Sequence, residues 1–157
     1  MSKLYDSDFF EWTRGQASLL RRLRSERANT PLDLENLADE IESLGKSDLR
    51  GLTNEFARVI GHLLKLEYSP AAEPRRGWKE SVTAHRFAAE ALLEDSPSLR
   101  RVLPERLSKA YRVGRLEAGR GLATDGPGAD VLPGACPYAL EQAMNLEWLP
   151  SNRHGLA

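Results

Sequence analysis

Residues 34–68 read LENLADEIESLGKSDLRGLTNEFARVIGHLLKLEY, and whether they make one helix or two decides the fold. Leu34, Leu37, Ile41 and Leu44 follow at steps of three and four, and Leu52, Phe56, Val59 and Leu63 continue the same phase beyond Gly45. That is the period of a single apolar helical face. A chain broken at Gly45 would ordinarily lose this register. The spacing therefore predicts one helix over 34–68, although an interior glycine costs about 1 kcal/mol relative to alanine and makes a bend at Gly45 an expectation to test. At about 1.5 Å per residue such a helix is ~52 Å long.

Working outward, Phe9, Trp12, Gln16, Leu19, Leu20 and Leu23 share one side of a helix predicted over about 8–27, with Asp8 and Glu11 in capping-box spacing at its start. Asn29, Thr30 and Pro31 interrupt it, and Asp33 is placed to cap the long helix. SPAAEPRRG, residues 69–77, reads as a loop. A helix over about 78–94 then uses Trp78, Val82, His85, Ala89 and Leu92 as its apolar side. Ser96 and Pro97 announce another over about 97–118, with Leu99, Val102, Leu103, Ala110 and Val113 inward. GRGLATDGPGADVLPGAC is too rich in glycine and proline for a regular element. A short helix is expected at about 137–144, with Trp148 and Leu149 docking the tail.

No internal repeat and no strand-like alternation is visible, so the expected class is all-α: a single domain over 1–157, four main helices around one long central helix, and a short C-terminal helix. Short connections make sequential helices antiparallel neighbours. The surplus length of the central helix suggests packing against a partner chain, and a homodimer is the expected assembly.

Composition narrows function mainly by exclusion. The chain has 157 residues, 22 Lys and Arg against 23 Asp and Glu, and a formal charge of -1, so no global field favours nucleic acid or anionic membrane. Cys136 is the single cysteine, which rules out an intrachain disulfide and a cysteine-based zinc cluster. The opening MSKLYDSDFFEW turns acidic and aromatic too early for a signal peptide. No stretch approaches the roughly 18 apolar residues of a membrane span. A cytoplasmic protein without membrane contact is expected.

Several separate motifs, LYDSDFFEWTRGQASLLRR, LDLENLADEIESLGKSD, HLLKLEYSP, the GW of GWKESVTAHR, DSPSLRR and CPYALEQ, occur in that order. Together they resemble the bacterial domain of unknown function 29 family, from about Tyr5 to Trp148. The resemblance implies an all-helical fold and brings no assigned activity, cofactor or catalytic residue. Ala84-His85-Arg86 departs from the Gln-Arg that the family pattern has at that stretch, which counts against a family-wide role for His85.

The acidic run DLENLADEIESLGKSD, residues 33–48, holds six carboxylates and one lysine. Glu35, Asp39, Glu42 and Lys46 form one row opposite the leucine stripe, which a solvated helix face explains without a ligand. A metal shared by Glu40 and His62 is excluded on one rod, because 22 residues span about 33 Å. No pair of Glu-x-x-His motifs suggests a di-iron site.

His62 and His85 each lie about 10 Å from the intervening turn, so their imidazoles come level across an antiparallel pair, with Arg86 and Arg106 at a similar height. A two-histidine metal site needs a third ligand, Glu55 lies about 10 Å further along, and nearby arginines repel a cation, so buried hydrogen-bonded histidines are expected rather than a metal. Asp48 falls on the apolar phase, where a hydrogen bond involving Gln16 is the expected compensation and a polar notch near Gly45 the alternative.

Residues 96–120 carry seven Lys or Arg against two Glu, and Arg101, Arg112 and Arg115 share a broad face. Without a helix-turn-helix signature or an aromatic stacking platform, nucleic acid is not expected there. Cys136 lacks a fixed histidine partner, and the GRG and GPG runs lack a phosphate-loop context.

The functional expectation is a non-catalytic, self-associating helical module for protein interaction or regulation, with a further protein partner unidentified. The alternative is a small-ligand or metal-binding protein, hydrolytic in one version, with a pocket near His62, Trp78, His85 and Arg86. No catalytic residue, metal or cofactor is assigned.

Overall fold

A computed structural model describes residues 3–126 and 128–157. In chain order the elements are α1 (Lys3–Ser7), α2 (Phe9–Ser25), α3 (Leu34–Tyr68), α4 (Arg75–Asp95), α5 (Leu99–Asp125), a single 3-10 turn (Ala129–Val131) and α6 (Leu140–Met144). Helix accounts for 73% of the chain and no strand occurs among the described residues, so the class is all-α. The long helix α3 is unbroken at Gly45 and packs with α2, α4 and α5.

Helix boundaries depart from the sequence reading where tertiary contacts outweigh local propensity. A five-residue α1 precedes α2. Helix α4 starts at Arg75 rather than 78, because Pro74 supplies the carbonyl that accepts from the Trp78 amide. Helix α5 starts at Leu99 rather than 97 and runs through Gly119 and Gly121 to Asp125 rather than ending near 118. Ala118 and Leu122 are completely buried there, and that burial offsets the poor helix propensity of the glycines. Helix α6 is confined to Leu140–Met144, leaving Pro137 and Tyr138 outside the helix.

Two compact units are distinguished, Met1–Gly51 with Ala91–Val102, and Leu52–Glu90 with Leu103–Ala157. In the first, α2 and the start of α3 form an antiparallel hairpin. Its contact line is Phe10, Thr13 and Ala17 against Leu34, Ala38, Gly45 and Leu49, all buried. A Cβ at Gly45 would sit 2.2 Å from Thr13 Oγ1 and 3.2 Å from Phe10 Cδ2. Glycine is therefore required at 45 for the close approach of α2, not for a break in α3. The Thr13 hydroxyl donates to Phe10 O at 2.8 Å, which satisfies it inside its own helix.

Asp8 does more than the expected cap. Its Oδ1 accepts from the Glu11 amide at 3.0 Å and from Ser98 Oγ at 2.7 Å, while Oδ2 accepts from the Ser98 amide at 2.8 Å. Ser96 Oγ accepts from the Phe10 amide at 3.0 Å. The Ser96–Pro97–Ser98 turn is thus clamped to the start of α2. Glu11 does not complete a capping box but receives Arg101 Nη2 at 3.1 Å. Asp33 caps α3 as its sequence position implies, accepting from the Asn36 amide at 3.2 Å, and these bonds hold its carboxyl below the usual range.

The second unit carries the dense core. Leu52, Phe56, Val59, Ile60, Leu63, Leu64 and Leu66 of α3 are buried, with Val82 and Ala89 of α4 and Leu103, Ala110 and Leu122 of α5. Gly61 and Gly114 mark the crossing of α3 and α5: a Cβ at Gly114 would lie 2.5 Å from Ala57 O and 3.0 Å from the Gly61 amide nitrogen. The last carbonyls of α3 have no helical partners. Asn152 Nδ2 donates to Leu66 O at 2.7 Å and Ser69 O at 3.0 Å, Arg75 Nη1 donates to Leu66 O at 2.7 Å, and the Arg153 amide donates to Glu67 O at 2.9 Å. The tail therefore acts as the C-terminal cap of the central helix. Trp148 packs edge-on against Tyr138 at 5.6 Å, while Leu149 is 38% exposed.

Candidate functional site

Of the four residues the sequence groups into a pocket, two meet directly. His62 on α3 and His85 on α4 stack with ring centroids 6.0 Å apart and planes 12° apart. Contrary to the sequence expectation, Glu55 is within reach: its Oε2 lies 2.7 Å from His85 Nδ1. Glu55 and His62 are seven residues apart on one face of α3, and His85 sits between their levels and touches both. A carboxylate accepts, so Nδ1 of His85 donates and the ring is oriented by Glu55. His62 Nδ1 is buried without a hydrogen-bond partner among the described residues. Burial, reinforced by Lys65, His85 and Arg58, pushes the His62 pKa down to about 4. At neutral pH this ring is uncharged.

Trp78 belongs to the adjoining layer of the same helix pair, where Lys65 Nζ lies 5.4 Å from its ring centroid. Arg86 points elsewhere. It is 1% exposed, and its guanidinium donates to the carbonyls of Ala143 at 2.8 Å, Trp148 at 2.9 Å and Gln142 at 3.3 Å. These include last-turn carbonyls of α6, so Arg86 caps that helix and anchors the tail. With no carboxylate among its bonded partners, burial pulls its pKa down. The histidine pair and Arg86 are thus separate features on neighbouring faces of α4. Among the described residues no group of three or more His, Cys, Asp or Glu side chains has the geometry to hold a metal ion.

The hairpin of the first unit has a second distinctive surface. Its buried ridge lies one position away from the leucine stripe of the sequence, because Ala17, Ala38 and Gly45 let the backbones approach and set the contact line. The larger residues are displaced to the rim. Leu19, Leu23, Leu37 and Leu44 are 43%, 40%, 39% and 45% exposed. On a helical projection all four lie about 100° or more to the same side of the buried ridge, and antiparallel neighbours keep such flanks together. The opposite edge is polar: Arg21 Nη2 bridges Asp39 at 2.8 Å and Glu42 at 2.7 Å. Tyr5, Phe9 and Trp12 form an aromatic cluster on α1 and α2, with Tyr5 and Trp12 centroids 4.8 Å apart and Tyr5 52% exposed.

The acidic run is accounted for by Arg21, by Arg24 with Glu35 at 2.7 Å, and by Lys46 with Glu42 at 3.3 Å. These exposed pairs are screened by solvent and add little to stability. Asp48 is half-buried, but the neighbour that matters is Asp95 rather than Gln16; burial and that second carboxylate raise its pKa. Arg101 pairs with Glu11, and Arg115 is spent on the carbonyls of Pro133, Leu132 and Ala129. The basic face of α5 is therefore divided between different partners.

A family model described as "Domain of unknown function DUF29" matches residues 4–149 of the 157. The chain belongs to the DUF29 family. Neither a curated protein nor a solved structure matches it. The DUF29 match takes in the hairpin, the histidine pair and Arg86, and its description attaches no activity to any of them.

Sequence reasoning missed the bond from Glu55 to His85, the strut formed by Arg86 and the capping role of Asn152. The seven-residue spacing of Glu55 and His62 signalled a shared face. Nothing local signals that Asn152 meets α3, since 86 residues separate it from Leu66.

Proposed function

We propose that this DUF29 chain is a non-catalytic interaction module that self-associates through the leucine edge of the α2–α3 hairpin. The observation that carries the reading is the row of Leu19, Leu23, Leu37 and Leu44, each about two-fifths exposed and together on one side of a two-helix hairpin. Scattered exposed leucines need no explanation, whereas an aligned apolar edge marks an association surface. A second copy is the natural occupant. Two hairpins meeting edge to edge make a four-helix arrangement, and a two-fold interface uses the same patch twice. A cytoplasmic setting accords with this reading.

Sedimentation equilibrium tests it, with wild type compared against Leu37→Lys/Leu44→Lys. Wild type is expected to give dimer mass and the variant monomer mass with unchanged helicity by circular dichroism. Monomer mass for the wild type at all concentrations would refute the proposal.

A second reading places a polar small ligand at the histidine pair, favoured by the buried, unpartnered Nδ1 of His62 beside an oriented His85. Saturable imidazole shifts in a ligand-screened NMR spectrum, lost in His62→Ala, are what that reading requires.

A further inference from the structure

The second unit contains a groove that no part of the preceding reading uses. Helix α5 forms one wall and the segment around Ala129 and Gly134–Cys136 the other, enclosing about 1070 Å³. Its floor is apolar, with Leu107, Leu116, Ala123 and Ala135 among the lining residues. Among the described residues, the charged side chains lining it are Arg112, Arg115 and Arg120.

The three arginines differ. Arg115 Nε donates to Pro133 O at 3.0 Å, and the Tyr111 hydroxyl donates to the same carbonyl, so both hold the far wall in place. Arg112 and Arg120 are exposed and make no ion pair among the described residues. They are eight residues apart on one helix, about 12 Å along its axis. Guanidinium groups at the rim of a groove give it an affinity for anions, and the apolar floor between them adds a preference for hydrocarbon.

We infer that this groove binds an elongated small molecule with an apolar body and an anionic group at each end, one group at Arg112 and the other at Arg120. The volume is at the upper limit of ordinary small-ligand sites. A peptide segment with acidic side chains at matching spacing is the competing occupant, and the test separates the two.

Dodecanedioate is the probe, because its carboxylates are separated by roughly the distance between the two arginines. Dodecanoate and dodecyltrimethylammonium serve as charge controls. Isothermal titration on the full chain should show saturable binding of the diacid at one site, tighter than dodecanoate, and none for the cation. Arg112→Gln and Arg120→Gln should each weaken the diacid about tenfold or more, the scale of one lost charge-assisted hydrogen bond, with unchanged melting temperature. Cys136, which lines the groove, should react more slowly with a maleimide when the diacid is bound. Equal binding of the cationic amphiphile, affinities indifferent to both substitutions, or binding only of an acidic peptide would each overturn the inference.

Discussion

Gly45 offers the sharpest test of how the hairpin is built. Gly45→Ala gains about 1 kcal/mol of helix propensity. Against that, the new Cβ would stand 2.2 Å from Thr13 Oγ1, with Phe10 Cδ2 at 3.2 Å and Thr13 Cβ at 3.3 Å. Overpacking of this kind costs about 1–3 kcal/mol, so the net expectation is a loss of up to about 2 kcal/mol. In a Thr13→Ala background the closest atom is gone. The remaining contacts need to yield only a few tenths of an ångström, so Gly45→Ala becomes roughly neutral there. A double-mutant cycle read by urea unfolding, monitored at 222 nm, should therefore give a measurable coupling of up to about 2 kcal/mol between positions 13 and 45. Additive effects, or a Gly45→Ala that stabilises the wild type, would show that α2 does not sit against α3 as described.

Two further substitutions address the second unit. The His62 pKa lies near 4 in the folded chain, below its ordinary value near 6.5. This residue's contribution is therefore complete above about pH 6.5 and is lost as pH falls toward 4. The ceiling is about 3 kcal/mol, discounted by partial exposure to about 1–2 kcal/mol. His62→Leu should flatten the dependence of stability on pH between 7 and 4 by that amount, and an unaltered slope would reject the assignment. Arg86→Ala removes the guanidinium donor from the carbonyls of Ala143 and Trp148 and the longer of two bonds from that of Gln142 and should cost about 3–5 kcal/mol, with Arg86→Lys partly restoring it. Thermal unfolding measures both, and a loss below 1 kcal/mol for Arg86→Ala would contradict the strut.

What could be read in advance followed the physics of local patterns. The phase shared by Leu34 through Leu63 identified α3 as one helix, and Asp8 and Asp33 identified helix starts, because periodicity and capping depend only on neighbours in sequence. The buried ridge of the hairpin was misplaced by one position, because the pattern weights leucine while the packing was decided by Gly45, Ala38 and Ala17. The extension of α5 through Gly119 and Gly121 was hidden for the same reason: Ala118 and Leu122 gain their burial from other elements. At the histidines, level placement across an antiparallel pair was legible from the turn. The Glu55 contact was not, because axial distance along one helix ignores the reach of side chains onto its neighbour. Similar height along the helix pair grouped Arg86 with the histidines, yet successive helical positions point about 100° apart.

The central claim is that the leucine edge faces a second copy of the chain. A nitroxide placed at Ser43, exposed on α3, in a Cys136→Ser background, tests it most directly by double electron–electron resonance on singly labelled protein. The account predicts a discrete intermolecular distance that disappears with Leu37→Lys/Leu44→Lys. A background decay alone, with no dipolar modulation in the otherwise unaltered protein, would contradict it.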